Sequence, residues 1–133
     1  MIFVDSNIPM YLVGADHPHK HEAAALLEKL IVNKERLVTN TEVFQEILHR
    51  YVALRRKDCI QPAFDTLRGL VDNVFPITEE DILEAKDLAL AYEGLSARDS
   101  LHAAQLKRYK ISRILSFDRG FDILPNIKRS PDS

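Results

Sequence analysis

The chain has 133 residues, of which 46% are hydrophobic and 29% charged, so disorder is not expected and one domain with a real core is. A formal charge of −2 excludes a uniformly basic nucleic-acid binder, yet leaves room for a local basic patch around a bound metal. No apolar run is long enough to cross a membrane, and the single Cys59 with no secretory signal before it predicts a reducing, cytoplasmic location.

Ile2-Phe3-Val4 reads as a fully buried strand, because such strands run apolar without alternation. Asp5-Ser6-Asn7 then starts a short helix through Val13, with Pro9 tolerated in its first turn, and Gly14-Ala15-Asp16 ends it. Pro18 opens a longer helix to Val32, whose inner face carries Ala23, Leu26, Leu27, Leu30 and Ile31. Leu37-Val38-Thr39 is a second strand. A helix from Glu42 to Leu54 follows, burying Val43, Phe44, Ile47, Leu48 and Tyr51, with Arg55-Arg56-Lys57 at its electronegative end.

A further helix, Pro62 to Asn73, leads into a strand over Val74 to Ile77, which Pro76 restricts to a sheet edge. Thr78 and Asp81 form a helix cap, and that helix runs to Tyr92 before Gly94 stops it. The next helix begins at Leu95 and carries Asp99 in its middle, on a face shared with Leu95, Ala103 and Leu106. Arg113 to Phe117 is a strand delivering Asp118, Ile127 to Arg129 adds a last strand, and Ser130 to Ser133 is a frayed tail. Strands alternate with helices throughout, which predicts a three-layer α/β fold with a mostly parallel sheet of four to five strands flanked by helices.

In such sheets ligands bind beyond the carboxyl ends of the strands. Asp5 and Asp118 both end strands and open onto that edge; Asp99 approaches from its helix, and Glu46 lies one turn into the helix after the second strand. A bare carboxylate on an apolar helix face costs several kcal/mol unless a cation or donors meet it. Converging carboxylates share hard divalent cations such as Mg²⁺, which can acidify a water and clamp a phosphodiester. Taken singly, Asp5 also suits a plain helix cap, Asp118 with Gly120 a turn, and Glu46 a surface position, with Glu42 its competitor.

The segments G-L-S-A-R-D-S-L-H-A-A and I-L-S-F-D-R-G-F-D, with V-D-S-N and T-N-T-E-V-F-Q-E-I-L-H-R-Y before them, resemble PIN-domain proteins, specifically VapC-type toxins of toxin–antitoxin pairs. The resemblance covers nearly the whole chain, as one PIN domain over residues 1–130. It implies a metal-dependent endoribonuclease in which Asp5, Glu46, Asp99 and Asp118 form the acidic quartet. By this analogy Asp5 and Asp99 are Mg²⁺ or Mn²⁺ ligands, and Asp118 and Glu46 complete the site directly or through water. A metal-activated water then cleaves RNA to 5′-phosphate and 3′-hydroxyl ends. Ser6, Asn7 and Ser116 orient carboxylates, and Asp122 is a secondary ligand or partner. The resemblance further implies a VapB-like antitoxin and a homodimer. The apolar faces around Phe44, Leu48, Tyr51 and Phe64 suit either contact, or the core.

Arg50, Arg55, Arg56 and Lys57, and separately Arg98, Lys107, Arg108, Lys110 and Arg119, are basic residues able to meet phosphates, though most charge runs are solvated faces; Arg98 and Arg119 flank acidic residues and are the better candidates. No aromatic ladder announces base stacking. The run Asp16-His17-Pro18-His19-Lys20-His21 is poorly spaced for one tetrahedral zinc and reads as a solvated helix start. His102, one turn after Asp99, reads as a hydrogen-bonded core histidine rather than a catalytic base, and Cys59 as an inert thiol. Two rivals remain: a PIN-like binding module without turnover, and a phosphoryl-transfer enzyme with Asp5 as nucleophile. The latter normally has a second aspartate two residues on, where this chain has Asn7.

Overall fold

The computed structural model describes residues 1–132. Five strands, β1 (Ile2–Val4), β2 (Leu37–Asn40), β3 (Asn73–Phe75), β4 (Arg113–Leu115) and β5 (Lys128–Ser130), form one sheet in the order β3-β2-β1-β4-β5. Every neighbouring pair is parallel. Six α-helices connect them: α1 (Asn7–Val13), α2 (Pro18–Val32), α3 (Thr41–Ala53), α4 (Ile60–Leu70), α5 (Glu79–Ala91) and α6 (Ala97–Arg108). α1 packs on α2 and α4, α3 packs on α4, and α5 pairs with α6. No helix among the described residues is long and apolar enough to cross a membrane.

The order places a switch point at the centre. The chain steps from β1 outward through β2 to β3, then returns to the other side of β1 as β4. A crevice opens where the two directions diverge, beyond the carboxyl ends of β1 and β4. Phe3, Val4, Ile114 and Leu115 bury both central strands, with Leu106 and Phe121 packed into the same cluster. Each such side chain contributes about 2 kcal/mol by leaving water, which fixes the strand ends that carry the polar residues.

Several boundaries differ from the sequence expectation, among them β4, which ends at Leu115 and not Phe117, so that Asp118 lies three residues past it. The helix expected to reach Asn73 ends at Leu70, and the next strand comes early, because the Asp72 N–H already donates to Leu37 O of β2 at 3.0 Å. α6 begins at Ala97, not Leu95: the Ser96 hydroxyl accepts from the Asp99 N–H at 3.1 Å and caps the helix there. Asp99 is therefore a first-turn residue, where a carboxylate is favoured, and not a mid-helix one. Ser130 belongs to β5 opposite Leu115, so the tail expected from Ser130 starts later; its last residue, Ser133, lies outside the described residues.

Candidate active site: carboxylates at the switch point

Asp5 sits immediately past β1, and its N–H still bonds Leu115 O of β4 at 3.0 Å, which locks it onto the crevice. Its side chain is not a helix cap. Oδ1 accepts from the Ser6 N–H at 2.8 Å, while Oδ2 accepts from Ser116 Oγ at 2.5 Å and Asn7 Nδ2 at 3.4 Å. Asn7 ties the two strand ends together, since its Nδ2 also donates to Ser116 Oγ at 3.2 Å and its Oδ1 accepts from the Phe117 N–H at 3.2 Å. Even with these donors, burial raises the Asp5 pKa above its ordinary value; the neighbouring His102 opposes the rise and Glu46 adds to it.

Asp99 and Asp118 meet beside Gly120. A Cβ placed on that glycine would stand 2.8 Å from Asp99 Oδ2 and 3.1 Å from Asp118 Oδ1. Asp118 combines both expected roles: its Oδ1 accepts from the Gly120 N–H at 2.8 Å, starting the 3-10 turn Arg119–Ile123, and its carboxylate reaches Asp99. Burial, then the charge and shared hydrogen bond of Asp118, then Asp5, push the Asp99 pKa up to about 7.

Glu46 is buried, at 5% exposure, contrary to the surface alternative. Ser6 Oγ donates to its Oε2 at 2.8 Å and His102 Nε2 lies 2.6 Å from its Oε1. Burial alone would raise its pKa, but these two bonds and the charge of His102 hold it below its ordinary value. Glu42, its competitor, is only half-buried, and lines a neighbouring groove with Arg98. Burial raises the Glu42 pKa, with Glu46 adding to the rise.

His102 was legible as a buried histidine, but not as the partner of Glu46. On its other side Nδ1 lies 3.1 Å from Asn40 Nδ2. Asn40 cannot turn its oxygen toward the ring, because Oδ1 accepts from the Val43 N–H at 2.9 Å as the α3 cap. The amide therefore donates to Nδ1, leaving Nε2–H to donate to Glu46. Burial lowers the His102 pKa, while Glu46, Asp5 and Asp99 outweigh it and raise it. A second proton on Nδ1 would nonetheless face the Asn40 NH₂.

Asp5, Glu46 and His102 present atoms within 4.8 Å of one another, but His102 and Glu46 already satisfy each other. Asp5, Asp99 and Asp118 line a cleft of about 320 Å³ with Glu46, Arg50 and Arg98. Hard oxygen donors, a carboxylate raised to about 7 by burial and its acidic neighbours, and a gap that one methyl group would fill together fit a divalent cation. Asp122 is elsewhere: the buried Arg129 grips it at 2.9 and 3.2 Å and holds its pKa below the ordinary value. Arg98 is on the cleft wall as expected. Arg50 joins it and Arg119 does not; Arg50 could have been found from its place one turn after Glu46.

The chain matches the PIN domain family over residues 2–126. It is 59% identical to a VapC ribonuclease of Mycobacterium bovis over 129 residues, 97% of this chain and 98% of that one. It is 40% identical to Ribonuclease VapC23 of Mycobacterium tuberculosis over 118 residues, 89% of this chain and 93% of that one. Among solved structures, Mycobacterium tuberculosis VapC20, described as a sarcin–ricin-loop-cleaving toxin, superposes with a TM-score of 0.78 at 19% identity, covering 96% of this chain and 97% of that one. Rickettsia felis VapBC2, solved on a promoter DNA fragment, gives 0.73 at 17% identity with 97% of each chain covered. At those identities the structural likeness is one of fold.

Proposed function

The chain belongs to the PIN-domain family, among its VapC-type ribonucleases, and from that premise we propose that it is a Mg²⁺- or Mn²⁺-dependent endoribonuclease toxin with residues 1–130 as its one domain. The observation that carries the reading is the convergence of Asp5, Asp99 and Asp118 at the switch point, where burial and the neighbouring acids raise the Asp99 pKa and no ion pair to Asp99 or Asp118 forms among the described residues. These three would hold the ion, which when bound supplies positive charge to a phosphodiester and acidifies a water. The catalytic set is these three with Glu46.

The protein's own residues do the positioning. Ser6, Asn7 and Ser116 hold Asp5 in one rotamer with its carboxylate turned along the crevice. Glu46 accepts from Ser6 Oγ and pairs with the buried His102, which supports a role in orienting Ser6 beside Asp5. Arg50 and Arg98 on the wall would meet phosphate oxygens and fix the register of the strand.

A VapB-like antitoxin would neutralise the enzyme, and a homodimer would present it. Phe44 and Phe64 are edge-to-face at 5.0 Å and Tyr51 is buried, so those rings serve the core, while Leu48 and Val52 on α3 remain 44% and 45% exposed and suit a protein contact.

The test is cleavage of a mixed RNA pool by antitoxin-free protein with Mg²⁺ or Mn²⁺, with EDTA, and with a folded Asp99→Asn variant. Cutting lost in both controls, with 5′-phosphate ends, is the expected result. Cutting that survives Asp99→Asn would sink the carboxylate mechanism, and protein that neither cuts RNA nor binds Mn²⁺ would return the chain to a binding module.

A further inference from the structure

Four rings, three of them between positions 11 and 19 and the fourth Phe117, gather next to Asn7, a residue of the acidic cleft that holds the Phe117 N–H. His19 stacks on Phe117 with centroids 4.0 Å apart and an interplanar angle of 17°. Tyr11 stands edge-on to both, at 5.0 Å from His19 and 5.2 Å from Phe117. His17 lies 4.9 Å from Tyr11 and from His19. None of the four is in the main core: Tyr11, His19 and Phe117 are half-buried, His17 is exposed, and the His19 side chain keeps 31% of its surface.

The cluster is fixed to the reacting groups. Phe117 directly precedes Asp118, and its N–H is held by Asn7, the side chain that also donates to Asp5 and Ser116. A move of the ring platform relative to Asp5 would break that bond. The histidines also carry defined polar edges. His17 Nδ1 accepts from the His19 N–H at 3.0 Å, which assigns the neutral ring's proton to Nε2, and His19 Nδ1 faces Glu22 at 3.3 Å. The adjacent carboxylate of Asp16 is hydrogen-bonded to His21.

Proteins hold single-stranded RNA by stacking its unpaired bases on aromatic rings beside a track for the backbone. Arg50 and Arg98 supply such a track within the cleft, which Asn7 also lines, and the four rings supply π faces beyond Asn7, whose Oδ1 holds the Phe117 N–H. We propose that Tyr11, His17, His19 and Phe117 form a stacking platform for an unpaired nucleobase next to the cleaved phosphate, so that the substrate is RNA presented as a single strand or an open loop. This rests on the ribonuclease reading and names where that substrate's base is held.

The experiment uses the full chain and a fluorescein-labelled single-stranded RNA taken from the cleaved pool. His19→Leu and Phe117→Leu keep apolar bulk but remove a ring, and His17→Asn removes a ring while keeping a side-chain acceptor for the α2 cap, so at least one variant folds. RNA affinity, Mn²⁺ affinity by calorimetry, and cross-linking to 4-thiouridine are read for each. The expected result is RNA binding weakened about tenfold or more in the ring variants, Mn²⁺ affinity held within about twofold, and cross-links to Tyr11 or Phe117 in the parent. A parallel fall in Mn²⁺ affinity would make the rings a support for the cleft and overturn the platform. Unchanged RNA affinity would also overturn it and, where antitoxin neutralisation is lost, would assign the face to a protein partner. A parent protein that cleaves no RNA marks failure of the ribonuclease reading itself, and the platform falls with it.

Discussion

His102 Nε2 lies 2.6 Å from Glu46 Oε1, with both side chains buried and Asn40 closing the far side of the ring. A carboxylate in that position is stable only while its donors are in place, because an uncompensated buried charge is far more damaging than a missing pair.

His102→Leu is therefore expected to destabilise the protein by about 3 kcal/mol, read as a lower urea midpoint at unchanged slope. Pairing it with Glu46→Leu should recover part of that loss, since no charge is then stranded. A double variant whose loss equals the sum of the two singles would contradict the coupling.

Metal and pH should act together through Asp99. Its folded pKa of about 7 lies above its ordinary 3.8, so between those values the native state holds a proton the unfolded chain has released. The metal-free protein thus has this contribution in full below about 3.8 and loses it as pH rises to about 7. A divalent cation binds the ionised form and reverses the trend. Melting with EDTA should show Tm falling from pH 5 to 8 relative to Asp99→Asn, and the gain on adding Mn²⁺ should grow over the same range. A metal gain independent of pH would exclude Asp99 as a ligand.

Asp81 should titrate with the opposite sign. Burial favours its neutral form, yet the Thr78 N–H at 2.9 Å, Gln105 Nε2 at 3.0 Å and Arg108 Nη1 at 3.1 Å together hold its pKa below 3.8. Its stabilisation is present above that value and lost as pH falls through the depressed one. Asp81→Ala removes the capping-box carboxylate of α5 and the α5–α6 tie, and should cost about 2 kcal/mol near neutral pH, with a smaller difference in acid. Guanidinium melts at two pH values measure both.

Gly120→Ala isolates the geometry of the acid pair. No glycine has a positive φ, so the backbone accepts alanine, and the effect is the methyl group pressing on Asp99 Oδ2 at 2.8 Å and Asp118 Oδ1 at 3.1 Å. Mn²⁺ affinity should fall about tenfold or more, comparable to disturbing a ligand's orientation, while Tm with EDTA changes little. Unchanged affinity would place the ion away from this pair.

The sequence by itself determined the alternation of strands and helices and the carboxylates at the strand ends. Apolar runs, helical periodicity and capping residues are local signals, and Asp5 and Asp118 fall where a parallel strand must stop. The spacing of V-D-S-N, the Glu46 helix and the Asp99 helix also carried the family resemblance. Only the tertiary structure decided which of several carboxylates meet. It turned Glu46 inward onto His102, 56 positions away, and diverted Asp122 to Arg129, a residue that the linear reading had placed only in a last strand. It also stacked His19 on Phe117 from opposite ends of the chain. Such pairings depend on the sheet order and on which rotamer finds a donor, and neither is written in a periodicity.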